Sequence, residues 1–158
     1  MGKEVNVGIA DVKAGKNPTV FVTIGLGSCV GIALYDATSK IGALVHIMLP
    51  NSKKSGNPEN KAKFADTAIP LAIEMIKKLG GDPSNLTAKI AGGANMFSFS
   101  SKTPTIGEKN VEAVNKTLKE NKVRIVAEDT GGKIGRTMKF DLTTGKVIIK
   151  TAKGEKEI

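Results

Sequence analysis

Apolar and β-branched residues occur along the chain in short runs separated by polar and turn residues, a pattern typical of strands. Two such runs, at 29–35 and 41–49, flank the polar segment 36–40, so this part of the chain is predicted to form a β-hairpin. The same pattern predicts further strands at 5–12, 19–24, 86–91, 123–127, 137–142 and 147–151.

Helical spacing of apolar residues is confined to two segments. The first ends at Gly80-Gly81 and contains Pro70, which predicts either a kink or a later helix start. Its apolar members are Phe64, Ala68, Leu71, Met75 and Leu79. The apolar members of the second are Val111, Val114 and Leu118. Many strands and two helices that do not alternate strictly favour an α+β sandwich over a doubly wound parallel sheet.

Length and composition narrow the class of protein. The chain has 158 residues and 40% hydrophobic residues, so one domain over residues 1–158 is expected. No apolar run approaches the roughly 18 residues of a membrane-spanning helix, and the first residues have no signal-peptide core. The single cysteine, Cys29, excludes an internal disulfide and is typical of a reducing compartment. A cytoplasmic protein without membrane insertion is therefore predicted.

The net charge of +9 raises the question of whether the binding partner is a nucleic acid or an acidic protein. The excess is almost entirely lysine, since Arg124 and Arg136 are the only arginines and tryptophan is absent. Nucleic-acid binders usually combine arginine forks with aromatic stacking platforms. A lysine-rich solvated surface, or an acidic protein partner, is favoured over nucleic-acid binding. Nucleic-acid binding remains an alternative that would show a steep salt dependence.

A glycine-rich segment, 25–31, follows a predicted strand but does not match a phosphate-binding loop. Its third glycine comes one place late, no helical pattern follows, and no acidic residue ends a second strand about 20 residues on. His46 and Cys29 are the only histidine and the only cysteine, which excludes a zinc site built from these residue types. Neither a nucleotide nor a metal is predicted here.

The predicted hairpin determines whether Cys29 and His46 can meet. A two-residue loop puts Cys29 opposite His46, and a four-residue loop puts Gly31 opposite His46, with Cys29 still on the same face. A three-residue loop would put the two side chains on opposite faces. Two common loop lengths therefore bring the imidazole close to the sulfur, at a partly open surface. Thr23 precedes Cys29 by six residues and is a candidate to orient the imidazole from a neighbouring strand.

This pairing matters because a free thiol is mostly protonated at neutral pH and needs a base to become a nucleophile. A third group can fix the tautomer of that base, and glycines before the cysteine allow a tight turn that exposes a backbone N–H to an oxyanion. The competing interpretation is structural: a cysteine among apolar residues and a histidine in an apolar strand often serve only in packing.

Several blocks resemble the CheD family of chemotaxis proteins. They occur in the family's order and span about 17–136. The blocks are Thr23-Ile24-Gly25-Leu26-Gly27-Ser28-Cys29-Val30, Gly42-Ala43-Leu44-Val45-His46-Ile47-Met48-Leu49-Pro50, Phe64-Ala65-Asp66-Thr67-Ala68, Ile90-Ala91-Gly92-Gly93-Ala94-Asn95-Met96-Phe97, Ile106-Gly107-Glu108-Lys109-Asn110 and Ala127-Glu128-Asp129-Thr130-Gly131-Gly132. Phe64 and Lys109 depart from the tyrosine and arginine expected in their blocks.

The resemblance implies a cytoplasmic protein-glutamine deamidase that acts on chemoreceptor helices and needs no cofactor. It implies Cys29, His46 and Thr23 as the catalytic residues. The oxyanion or substrate-adjacent positions are expected at Gly27, Ser28, Gly92 and Gly93, with Gly92-Gly93-Ala94 on the rim of the site.

The fold implied by the resemblance is an α+β layered sandwich of mixed and antiparallel strands with two main flanking helices, similar to that of bacterial deamidating toxins. A CheC-type phosphatase is the implied partner, and methylesterase activity on receptors is a possible side reaction. The alternative is a non-enzymatic chemotaxis adaptor that binds CheC or receptor helices and tolerates replacement of Cys29.

Overall fold

Ten strands and two α-helices make up the described parts of the chain, which are residues 2–55, 60–96 and 104–158 of a computed structural model. The strands are β1 (Glu4–Asn6), β2 (Asp11–Lys16), β3 (Val20–Leu26), β4 (Val30–Asp36), β5 (Ile41–Ile47), β6 (Thr87–Gly92), β7 (Arg124–Thr130), β8 (Arg136–Asp141), β9 (Val147–Thr151) and β10 (Gly154–Glu157). The helices are α1 (Ala65–Lys78) and α2 (Ile106–Glu120). Neither helix is both long and apolar enough to cross a membrane.

The strands form two five-stranded sheets that pack face to face. The sheet with the order β2-β5-β4-β6-β7, here the central sheet, carries α1 and α2 on one face. Its other face packs against the sheet with the order β1-β3-β8-β9-β10, here the outer sheet. The molecule therefore has three layers, and the predicted α+β layered sandwich is confirmed. Both helices cover the same face of the same sheet.

Residue alternation along β5 determines which layer each side chain enters. Ala43, Val45 and Ile47 belong to the core beneath the helices, whereas Leu44 belongs to the core between the two sheets. Because a strand in a middle layer is covered on both sides, every residue of β5 is buried. His46 has the same parity as Leu44 and therefore faces the outer sheet.

The hairpin of β4 and β5 has the four-residue loop, with Asp36 paired to Ile41 and Gly31 paired to His46. The buried Asp36 carboxylate stabilises this turn by accepting hydrogen bonds from the Thr38 N–H at 3.0 Å and the Ser39 hydroxyl at 2.8 Å. Of the two loop lengths that place Cys29 and His46 on the same face, the structure has the longer one. The three-residue loop, which would separate the two side chains, does not occur.

Two of the expected elements are wrong in detail, and one strand was not predicted. The single strand predicted at 5–12 is divided into β1 and β2, which belong to different sheets. The later start of the first helix is wrong, because α1 begins at Ala65 and includes Pro70. The exposed strand β10 was not predicted, because it has no apolar residue and therefore no alternation.

Candidate active site

His46 is fully buried between the two sheets and is held by a threonine of the facing sheet. The distance between Thr23 Oγ1 and His46 Nδ1 is 2.7 Å, and the Thr23 hydroxyl donates to the carbonyl oxygen of Val7 at 2.6 Å. Since a hydroxyl has one hydrogen, already donated to Val7, the contact with His46 requires Nδ1–H to donate to Thr23 Oγ1. Nε2 is therefore the ring nitrogen with a free lone pair.

Thr23 contacts the imidazole from another strand, as expected, but that strand belongs to the facing sheet. Thr23 is on β3 of the outer sheet, and His46 is on β5 of the central sheet. The hydrogen bond therefore crosses the interface between the two sheets. It ties the tautomer of the imidazole to the packing of one sheet on the other.

The free nitrogen of His46 is in an environment that opposes its protonation. Nε2 is buried and has no hydrogen-bond partner among the described residues. Burial lowers the pKa of His46 from 6.5 to about 4. The imidazole is thus a neutral base at pH 7. The expected partly open surface is wrong for His46, which has no exposed area.

Cys29 lies on the chain between β3 and β4 and is partly exposed. It packs against the apolar cluster between the two sheets, on the face of the central sheet that His46 also faces. Burial raises the pKa of the Cys29 thiol, and its own backbone N–H opposes this to a smaller extent. Cys29 does not hydrogen-bond to His46 Nε2, and a close approach of the two atoms stays a prediction.

The loop of residues 27–29 is held from behind through its carbonyl groups. Each of its three carbonyl oxygens accepts a hydrogen bond of 2.8 Å. The Ala94 N–H donates to Gly27, and the Gly93 N–H donates to Cys29. The Asn110 side-chain amide donates to Ser28. Within the described residues, the N–H groups of Ser28 and Cys29 donate to no carbonyl of another residue.

Gly92 and Gly93 lie behind this loop rather than on an exposed rim. Both are buried, as is Ala94, so the rim expected for these three residues is wrong. A Cβ on Gly92 would be 2.2 Å from the carbonyl oxygen of Cys29, and Gly92 has a φ of +112°. The missing side chains let the protein's own backbone approach the loop. The exposed Met96 side chain lies next to Gly27. Ile24, three residues before the loop along the chain, is also exposed.

Two residues that support the loop were not singled out from the sequence. Asn110 is buried on α2 and contacts the loop through its amide. Arg136 is also buried, donates to Asp129 at 3.1 Å and reaches the Gly92 carbonyl at 3.5 Å. One signal was available for Arg136, since it is one of only two arginines in a lysine-rich chain. For Asn110 the available signal was its place at the end of the block Ile106-Gly107-Glu108-Lys109-Asn110, one of those that resemble the CheD family.

The Cys29 thiol is expected to stay protonated at neutral pH. Its pKa is raised by burial, and the neighbouring imidazole is neutral, so no thiolate–imidazolium pair is stabilised. We expect the ultraviolet absorbance of the thiolate, and the rate of alkylation by iodoacetamide, to rise only at a more alkaline pH than for an ordinary free thiol. Because Cys29 is the only cysteine, both signals report on one atom, and Cys29→Ser is the blank. A titration midpoint below pH 7 would contradict this expectation.

Comparison with known proteins shows that this chain belongs to the CheD family. The family model described as CheD chemotactic sensory transduction matches residues 48–151. A protein of Clostridium botulinum named "Probable chemoreceptor glutamine deamidase CheD" is 54% identical over 99% of this chain and 98% of its own length. A protein of Desulforamulus reducens with the same name is 52% identical over 94% of this chain and 90% of its own length.

The resemblance found in the sequence is thereby confirmed, and the name of these relatives agrees with the expectation of a hydrolase acting on amide bonds. The match to the family model begins after His46 and so does not include Cys29, His46 or Thr23. Any role proposed for these three residues therefore rests on the geometry described above and not on this match.

Proposed function

We propose that this protein is a chemoreceptor glutamine deamidase that uses Cys29 as the nucleophile and His46 as the general base and acid. Membership of the CheD family and the name of its relatives support the reaction. The observation that carries the residue roles is the hydrogen bond between Thr23 and His46. It leaves Nε2 as a buried, unprotonated acceptor on the face that Cys29 shares.

In the first half of the reaction, the sulfur attacks the side-chain carbonyl carbon of a glutamine while His46 Nε2 takes the thiol proton. This order suits a thiol and an imidazole that are both neutral at rest. The carbonyl oxygen becomes an oxyanion, for which the N–H groups of Ser28 and Cys29 are the available donors. The imidazolium then gives its proton to the departing nitrogen, and ammonia leaves a thioester on Cys29.

In the second half, Nε2 takes a proton from a water molecule that attacks the thioester carbonyl. The carbon–sulfur bond breaks, the sulfur recovers the proton from His46, and a glutamate is released. The same sequence of steps on a receptor methyl ester would release methanol, so a methylesterase side activity belongs to the proposal. Every proton transfer in this scheme goes through His46. All of the residues involved belong to the one domain expected over residues 1–158.

The test of this function is mass spectrometry of a chemoreceptor cytoplasmic fragment after incubation with the protein. We expect glutamines at defined positions to become glutamates, with one ammonia released for each. Binding of the fragment without any conversion would contradict the proposal and favour the non-enzymatic adaptor. Heat-inactivated protein is the control for spontaneous deamidation.

Replacing Thr23 by valine is expected to lower kcat about 10-fold. Valine keeps the shape of threonine but removes the acceptor of the His46 Nδ1–H, and one buried hydrogen bond corresponds to about 1.4 kcal/mol. Steady-state kinetics on the receptor fragment measures the change. The matched control is Thr117→Val, which removes a buried hydroxyl bonded only within α2. Equal kcat values for the two variants would contradict a role of Thr23 in orienting the base.

A CheC-type phosphatase is proposed to dock on the face that accepts the receptor. Met96 is an exposed apolar side chain next to Gly27 of the Cys29 loop, which suits contact with a helix of either partner. Added CheC is therefore expected to raise the apparent KM for the receptor fragment and to leave kcat unchanged. An unchanged KM with a lower kcat would indicate a separate docking surface, and albumin at equal concentration controls for crowding.

A further inference from the structure

We infer that Asn110 is a positioning residue of the proposed active site, acting through the backbone of the Cys29 loop; this inference rests on the proposed function. Asn110 lies on α2 and is completely buried. Its Nδ2 donates to the carbonyl oxygen of Ser28 at 2.8 Å and to that of Met48 at 3.0 Å. Since both contacts are carbonyl acceptors, the amide orientation is determined by its partners.

These two carbonyls belong to the segments that carry the proposed catalytic pair. Ser28 directly precedes Cys29, and Met48 follows His46 by two residues. The ladder between β4 and β5 ends at the pair of Val30 and Ile47. Beyond that pair, the Asn110 amide joins the two segments in place of ladder hydrogen bonds. The separation of the loop from the end of β5 therefore depends on one side chain.

The contact with Ser28 also controls the direction of the Cys29 N–H. In a trans peptide unit the C=O of one residue and the N–H of the next point in opposite directions. Because Asn110 holds the Ser28 carbonyl toward α2, the Cys29 N–H points away from α2. This N–H lies against the sulfur of its own residue, where it lowers the thiol pKa against the larger effect of burial. It is therefore placed at the atom that would bond to the substrate carbonyl.

Close packing of the start of α2 brings Asn110 within reach of the Ser28 carbonyl. Gly107 lies one turn before Asn110, and a Cβ on Gly107 would be 2.5 Å from the carbonyl oxygens of both Gly93 and Ala94. The glycine thus lets the start of α2 press against the segment behind the loop. The Asn110 Oδ1 is buried without a partner among the described residues. The Asn110 amide therefore acts in this structure as a donor and not as an acceptor.

The test compares Asn110→Leu with Val114→Ala in deamidation of the receptor fragment and in alkylation by iodoacetamide. Leucine is close to asparagine in size and has no donor, whereas Val114 is a buried α2 residue of the helix–sheet core. We expect Asn110→Leu to lower kcat about 10- to 100-fold, with KM within about 3-fold, because oxyanion donors act in the transition state. Alkylation involves no oxyanion, so its limiting rate at a pH where the thiol is fully ionised is expected to stay within about 3-fold.

Val114→Ala serves as the control for lost stability and is expected to keep kcat within about 3-fold of the wild type. Asn110→Ala provides the same comparison if the leucine variant does not fold. The inference is overturned if kcat of the folded Asn110 variant matches that of Val114→Ala, or if alkylation slows as much as deamidation. A wild type that deamidates nothing overturns both this inference and the proposed function. An active wild type beside an unimpaired Asn110 variant overturns this inference alone.

Discussion

Cys29→Ala is expected to abolish glutamine deamidation, with a loss of about 10⁴-fold or more in kcat. The chain has no other thiol, so no second nucleophile can replace the sulfur. The side chain is partly exposed and takes no side-chain hydrogen bond in the described structure, so its truncation should change the free energy of unfolding by only about 1 kcal/mol. Mass spectrometry of the receptor fragment measures the loss of activity, and circular dichroism checks the fold.

Cys29→Ser is the matched variant, because it keeps the size of the side chain and replaces the nucleophilic atom. We expect it to bind the receptor fragment with the wild-type Kd and to convert almost none of it. Retained deamidation by either variant would exclude the thioester mechanism. Retained chemotactic function of Cys29→Ala in cells would favour the adaptor alternative.

His46→Gln is expected to lower kcat about 10³-fold, since it removes the group that carries the proton in both halves of the reaction. Glutamine has an amide of similar reach, but that amide is not a base at neutral pH. Steady-state kinetics on the receptor fragment gives the factor. Thr23→Val is the comparison, because Thr23 is the hydrogen-bond partner of His46. Its smaller expected loss of kcat distinguishes the orienting of the base from the transfer of the proton. A His46→Gln variant that loses no more than Thr23→Val would contradict the role of His46.

The lowered pKa of His46 also predicts how stability depends on pH. In the unfolded chain the imidazole takes a proton near pH 6.5, whereas in the folded protein burial lowers its pKa to about 4. The unfolded state therefore binds more protons between these pH values, and the free energy of unfolding falls as the pH falls through this window. The difference between the two pKa values corresponds to about 3 kcal/mol in the free energy of unfolding. This contribution is fully present above pH 6.5 and is lost by about pH 4.

Urea denaturation at a series of pH values measures this dependence. Carboxylates titrate in part of the same window, so the difference between the wild type and His46→Gln isolates the contribution of the imidazole. We expect the variant to lose less stability than the wild type between pH 6.5 and 4. Parallel curves for the two proteins would show that the folded protein does not depress the pKa of His46.

The sequence alone was sufficient for the local features of this protein. Alternation with a period of two predicted the hairpin that became β4 and β5, and helical spacing predicted α1 and α2. Parity then restricted Cys29 and His46 to a common face in both registers with an even loop. These features depend on residues close together in the chain, where hydrophobic spacing and turn chemistry act directly. The motifs of the CheD family were likewise recognisable without a structure.

Tertiary structure decided what depends on contacts between distant segments. Nothing in the local pattern determines which sheet a strand joins, so the division of 5–12 into β1 and β2 was not predicted. For the same reason Thr23 was expected on a neighbouring strand, although it reaches His46 from the facing sheet. The burial of Gly92 and the contacts of Asn110 arise where α2 and β6 close behind the Cys29 loop. The spacing of residues along a strand determines the face on which each side chain lies. The residue that it contacts in the neighbouring layer is determined only when the layers pack against each other.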